Sequence, residues 1–357
     1  MSVFVIAEAG VNHNGDVELA KRLIDTAAAA GADAVKFQTF RAEQLVSRSA
    51  PKAAYQKRAT GTAESQLEML RRLELGPAQH ETLIAHAAER GIEFLSTPFD
   101  SGSLQLLTAR FGLRTIKIPS GEVTNTPFLL EIARVAQRAI LSTGMSTLGE
   151  IEAALSALAF GFSGSTGKPG PEAFERAFAS AAGRRAVQER VTLLHCTTEY
   201  PAPAAGANLR ALQTLAAAFG TAVGYSDHTT GLHVSLAAVA LGACVIEKHF
   251  TLDRSLPGPD HAASLEPAEL AAFVRQIRDI EAALGDGIKC PTAAEWDNRS
   301  VARQTLVAAA AIRAGDELTA ENVTSKRAGG GMSAARYWSV LGRRASRSYE
   351  VDDALDE

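Results

Sequence analysis

The chain has 357 residues, 46% of them apolar and 21% charged, with a formal net charge of −4. This is the composition of a globular protein, and its mildly acidic balance gives no basic face for nucleic acid or an anionic membrane surface. Cys196, Cys244 and Cys290 are odd in number, far apart and form no CxxC pair, which argues against a disulfide framework and fits a reducing, cytoplasmic setting.

The first apolar run, MSVFVIA, lacks a basic start and soon meets Glu8, so it does not read as a signal peptide. The most apolar segment, 234–246, is cut off by Glu247 and Lys248 and is too short for a membrane span. In chain order, short β-branched or apolar runs are predicted as strands at 3–7, 34–37, 93–95, 115–118, 139–141, 192–194, 222–224 and 243–246. Helical patterns alternate with them at 17–30, 78–90, 127–137, 148–158, 209–219 and 232–241, and Gly31, Gly91 and Gly242 stand where helix C-caps are expected. Eight strand–helix repeats with right-handed crossovers predict an α/β fold, a (β/α)8 TIM barrel, with an open doubly wound sheet as the alternative. Two stretches, 43–74 and 161–190, interrupt the alternation; the second reads as an elaborated loop or an extra helix, and long loops of this kind often form lids over a barrel's site. The barrel is expected over 1–285, ending in a helix at 267–284. A linker follows over 286–298, and a small C-terminal domain over 299–357.

Catalytic groups of such a barrel lie at the C-terminal ends of its strands. Every predicted strand here delivers polar residues to that rim. They include Glu8, Lys36, Thr97, Lys117 with Ser120 and Glu122, Ser142, His195 to Tyr200, Ser226 to His228, and Glu247 to His249. His228 and His249, at corresponding places on neighbouring strands, can hold one divalent cation with substrate or water completing the shell. Asp227 and Glu247 are expected as hydrogen-bonding partners of the imidazoles. Imidazole with oxygen ligands suits manganese, cobalt or zinc better than magnesium. Lys36 and Lys117, with Ser120, Ser142 and Ser226, make a pocket for a phosphate and a carboxylate. Structural ion pairing and a Schiff-base lysine are the alternatives for the two cations. Glu8 and Glu122 are candidate acids or bases, Glu122 equally a loop or cap residue, and Asp16 an N-cap. Strand alternation points Cys196 and His195 in opposite directions, which argues against a catalytic dyad.

The motifs AEAGVNHNGD, AVKFQTF, STPFD, KIPSGE, ILSTGM, HCTTEYPAP, GYSDHTTG, IEKHFTLD and GPDHAASLEP, in this order, resemble the bacterial sialic acid synthase family. The end of the chain, through TSKRAGGGMSAARYWSVLG, resembles that family's antifreeze-like SAF domain, a β-clip fold. The resemblance implies condensation of phosphoenolpyruvate with an N-acetylmannosamine-type sugar aldehyde, giving N-acetylneuraminate or N,N'-diacetyllegionaminate and phosphate. The motifs lean towards the legionaminate branch. A pseudaminate synthase and a Schiff-base pyruvate aldolase are the alternatives. It further implies a divalent metal on His228 and His249, manganese first, with magnesium or cobalt possible. It places phosphoenolpyruvate on Lys36, Thr97, Lys117, Ser120, Ser142 and Ser226, with Glu8 near the reacting centre. The sugar is implied near Thr198, Tyr200, Glu247 and Asp260, with Arg303 contributed by the partner in a domain-swapped homodimer.

Overall fold

In a computed structural model of the chain, residues 2–61 and 63–356 are described. Met1, Thr62 and Glu357 lie outside them, so both expected domain ends fall on undescribed residues. The described chain forms two compact units, up to Gly285 and from Asp286 onwards.

The first unit is built on eight parallel strands: β1 (Phe4–Gly10), β2 (Ala34–Thr39), β3 (Glu93–Pro98), β4 (Thr115–Ile118), β5 (Arg138–Ser142), β6 (Val191–Cys196), β7 (Ala222–Asp227) and β8 (Val245–His249). Their order is β3-β2-β1-β8-β7-β6-β5-β4, and β3 and β4 approach each other to complete the ring. This is the expected barrel rather than an open doubly wound sheet. Helices lie between the strands, and the final helix spans Pro267–Leu284, as the sequence indicates. Asp16 caps the first helix, Val17–Ala29, by accepting hydrogen bonds from the backbone N–H groups of Glu18 and Leu19. Gly31 and Gly91 follow helix ends with φ of +77° and +68°, a region that costs a residue with a Cβ.

Strand alternation sorts the side chains into two sets. Outward residues, among them Val5, Ala7, Val35, Phe37, Ile116, Leu141, Leu193, Tyr225 and Ile246, pack beneath the helices. Each such large apolar side chain contributes about 1.5–3 kcal/mol when fully buried. Inward residues Ile6, Ala34, Leu95, Ile140, Leu194 and Val245 fill the barrel floor. Two residues further along each of these strands stand Glu8, Lys36, Thr97, Ser142, Cys196 and Glu247, all buried. Polar groups at these core positions forgo the packing gain of the layer below, so packing does not account for them.

Most strands run one to three residues beyond their apolar runs, because the polar rim is still extended and paired. The first interruption contains the helices Ala42–Leu45, Ala54–Thr60 and Gln66–Leu73. In the second, the helix Leu148–Phe162 continues past its expected end. Two further helices follow, Pro171–Ala179 and Ala181–Arg190, and pack against it.

The second unit begins with an irregular segment and the helix Ala293–Ala302, which straddles the expected end of the linker. An antiparallel pair follows, β9 (Thr305–Ala308) and β10 (Val323–Lys326). Leu306, Ala308, Ile312, Val323, Val340, Tyr349 and Leu355 give this unit its own core. Among the described residues no helix is long and apolar enough to cross a membrane.

Candidate active site

At the C-terminal end of the barrel, a cavity of about 300 Å³ is lined by residues from all eight strands and by Gln66, Met69 and Leu73 of the first interruption. At its base lies a buried cluster of four charges. Lys36 Nζ lies 2.5 Å from Glu8 and 3.6 Å from Glu247, and donates to Thr97 Oγ1 at 3.1 Å. Lys117 Nζ lies 3.6 Å from Glu247 and donates to Ser142 Oγ at 2.8 Å. Ser226 donates to Glu247 at 2.9 Å.

The two carboxyls behave differently because their surroundings differ. Burial pushes Glu247 up, but Lys117, Lys36 and the Ser226 hydroxyl outweigh it and hold the group at about 2. Burial also pushes Glu8 up. Lys36 only partly offsets this and Glu247 adds repulsion, so Glu8 rises from 4.5 to about 7. Burial lowers Lys36, but Glu247 and Glu8 more than restore it and keep it an ammonium. For Lys117 burial prevails, and its pKa is lowered.

His228 and His249 flank the same cavity, their ring centroids 5.8 Å apart. Tyr200 packs against both, at 4.1 and 5.7 Å. His228 Nδ1 donates to the Thr197 carbonyl at 2.7 Å, which fixes the tautomer and leaves Nε2 with a lone pair. Among the described residues His249 Nδ1 is buried without a hydrogen-bond partner. Burial lowers the pKa of both imidazoles, which are therefore neutral and able to ligate. Two imidazoles do not complete a coordination shell. Among the described residues no group of three His, Cys, Asp or Glu side chains is placed to hold a metal. The pair fits a cation whose remaining positions are taken by substrate and water.

Asp227 does not serve these imidazoles as the sequence suggested. It faces the outer side of the barrel and pairs with Lys248, because alternation along β7 turns it away from the cavity. Glu247 does lie in the cavity, between the two ammonium groups. Glu122 is half-buried and accepts a hydrogen bond from Asn125, and the cavity lining does not include it.

Ser120, Thr198 and Asp260 also line the cavity. Ser120 Oγ accepts from the Gly144 N–H at 3.0 Å and lies 3.2 Å from Cys196 Sγ. A Cβ on Gly144, in the turn after β5, would stand 2.3 Å from Thr198 Oγ1 and 2.9 Å from Ser120 Oγ, so a side chain there would displace these hydroxyls. Asp260 is buried, and burial raises its carboxyl to about 6. Arg303 is exposed and belongs to the second unit. Met145 lines the cavity without having been singled out, and the rim residues Gln38 and Cys196 line it too. The interior position of Cys196 was readable from its spacing two residues after Leu194. His195, its neighbour, points the other way and bonds the Ala207 carbonyl at 2.7 Å.

The NeuB family profile matches residues 23–289. The chain is 51% identical to an N,N'-diacetyllegionaminic acid synthase of Campylobacter jejuni over 353 residues, which cover 99% of this chain and 98% of the relative. It is 42% identical to the protein of that name from Legionella pneumophila, with coverages of 99% and 94%. The crystal structure of an N-acetylneuraminic acid synthetase from Leptospira borgpetersenii, in complex with citrate, superposes with a TM-score of 0.68 at 35% identity, covering 84% of this chain and 90% of that one.

Proposed function

The chain belongs to the NeuB family and is a sialic acid synthase-type condensing enzyme, and we propose that its product is N,N'-diacetyllegionaminate. The substrates in this reading are phosphoenolpyruvate and 2,4-diacetamido-2,4,6-trideoxymannose. The observation that carries it is the 51% identity, over nearly the full length of both chains, to a synthase of that name. The buried pair of ammonium groups supplies the chemical reason. Lys36 and Lys117, with Thr97, Ser120, Ser142 and Ser226, offer two cations and four hydroxyls to a ligand carrying a phosphate and a carboxylate.

In this reaction the methylene carbon of phosphoenolpyruvate forms a bond to the aldehyde carbon of the open-chain sugar. Water adds at C2 of the former enol phosphate, and the C2–O bond breaks to release phosphate. Lys36 and Lys117 hold the anionic charge in place, a preorganised electrostatic contribution. Glu8, which gains or loses its proton near pH 7, takes up or delivers a proton beside the reacting centre. Tyr200, Thr198, Glu247 and Asp260 face the acceptor in this reading. A divalent cation held by His228 and His249, manganese before magnesium or cobalt, supplies Lewis-acid polarisation when bound.

The C-terminal unit is read as the SAF antifreeze-like module and the working enzyme as a cytoplasmic, domain-swapped homodimer with Arg303 reaching the partner's sugar. Light scattering on the full chain and the KM of Arg303→Ala for the sugar test that assembly. The Schiff-base alternative has Lys117 as its candidate, since Lys36 is held charged. Borohydride reduction with pyruvate, followed by mass spectrometry, tests it. Phosphate released one for one with sugar consumed, without an adduct on Lys117, supports the synthase. A borohydride-trapped pyruvate adduct contradicts it.

A further inference from the structure

Behind the two imidazoles, on the outer face of the same strands, lies a polar cluster that the condensation chemistry does not touch. Asp227 of β7 and Lys248 of β8 are register partners. Their side chains are 0% and 2% exposed. Lys248 Nζ donates to Asp227 Oδ2 at 2.7 Å and to the Thr229 carbonyl at 2.8 Å. Asp227 also accepts from the Thr229 N–H at 2.8 Å and from Ser235 Oγ at 2.5 Å, the latter on the helix His233–Ala240.

Stability alone does not account for this pair, because burying two charges costs about as much as their attraction returns, and an apolar pair of similar volume often does as well. What the pair supplies is direction. Each member is the chain neighbour of one imidazole: Asp227 precedes His228, and Lys248 precedes His249. Through Thr229 the ammonium also grips the residue on the far side of His228. The His228 carbonyl, in turn, accepts from the Ala202 N–H at 2.8 Å. The backbone on both sides of His228 is thus tied to β8 by a charged strut and to the loop after β6 by a hydrogen bond.

We propose that Asp227 and Lys248, with Ser235, are positioning residues that set the spacing and orientation of His228 and His249 and so tune their affinity for a divalent cation. The proposal rests on the reading of those histidines as the cation's ligands. A neutral or shorter group at 248 leaves Asp227 buried without its cation and frees the segment 227–229 to shift, and loss of such supporting contacts weakens metal binding by about 10- to 100-fold.

The test is Mn2+ binding to the full chain, by calorimetry and by the electron paramagnetic resonance of the bound ion. Lys248→Met is expected to weaken binding by about tenfold or more and to alter the spectrum. Ser235→Ala, which removes one donor and leaves the ion pair, is expected to weaken it less. Leu129→Ala is a buried truncation in the helix Thr126–Val135, remote from β7 and β8 in strand order. It lowers stability by leaving a cavity in the core and is expected to leave Mn2+ affinity unchanged. A folded Lys248→Met variant with the affinity and spectrum of the parent overturns the proposal, as does an equal loss of affinity in Leu129→Ala. If Lys248→Met does not fold, unchanged affinity in Ser235→Ala overturns it. If the parent binds no Mn2+, or His228→Ala and His249→Ala bind it normally, the ligand reading itself fails and the strut's role falls with it.

Discussion

Replacing Glu8 by Gln removes one proton site from a buried cluster of four charges. Glu8 and Glu247 compete for the Lys36 ammonium at 2.5 and 3.6 Å, and Glu247 also has Lys117 and Ser226. Glu247 therefore keeps its charge, and the pair takes on its second charge, on Glu8, only near pH 7. The rise of Glu8 from 4.5 to about 7, at about 1.4 kcal/mol per unit, makes its ionisation about 3 kcal/mol less favourable in the folded chain than in the unfolded one. Between those two values the folded chain holds a proton that the unfolded chain has lost. The stability due to Glu8 is therefore complete below 4.5 and is lost as the pH rises through about 7. Gln is a neutral isostere of the protonated form. The metal-free Glu8→Gln variant is expected to match the parent near about pH 4 and to exceed it by about 3 kcal/mol near about pH 8, read from urea midpoints. The pH profile of kcat/KM for phosphate release is expected to lose its ionisation near neutrality. A stability difference that does not change with pH, or an ionisation that survives in the variant, refutes this account of the cluster.

His228→Ala and His249→Ala are expected to lose at least about 100-fold in metal-dependent turnover and to stop responding to added Mn2+ or chelator. Chelator titration of each variant checks this. Lys117→Met is expected to lower kcat/KM for phosphoenolpyruvate by about 10²–10³-fold, read by steady-state phosphate release. The added methyl of Gly144→Ala meets Thr198 Oγ1 at 2.3 Å. Displacing Thr198 and Ser120 in this way is expected to lower kcat/KM by up to about 100-fold through misplaced substrate contacts, with the far-UV spectrum unchanged.

The barrel was legible because its buried strands carry short apolar runs and its helices carry caps such as Asp16. The strand ends were less so. Glu8, Gln38 and Thr97 break the apolar pattern while their backbones remain in the ladder, since these polar side chains face the cavity rather than the helices. The interior charges were readable from the same alternation. Lys36 stands two residues beyond Ala34, and Glu247 two beyond Val245. Cys196 follows the same rule two residues beyond Leu194. The alternation also places Asp227 outside, paired with Lys248, a pairing across strands that local spacing does not give. The pKa difference between Glu8 and Glu247 was not legible at all, since it depends on which carboxyl the fold places between two ammonium groups. The helices of the segment 43–74 supply part of the cavity wall, and in the sequence they showed only as a break in the strand–helix alternation.

The central claim is tested most directly by phosphate release from phosphoenolpyruvate with Mn2+ and each of three sugars: 2,4-diacetamido-2,4,6-trideoxymannose, its altrose counterpart and N-acetylmannosamine. The expected result is sugar-dependent release, abolished by chelator and restored by metal, with the highest kcat/KM for the diacetamido-trideoxymannose. Highest kcat/KM for either of the other two contradicts the legionaminate assignment. No release with any of the three, from folded and metal-loaded protein, contradicts the synthase reading itself.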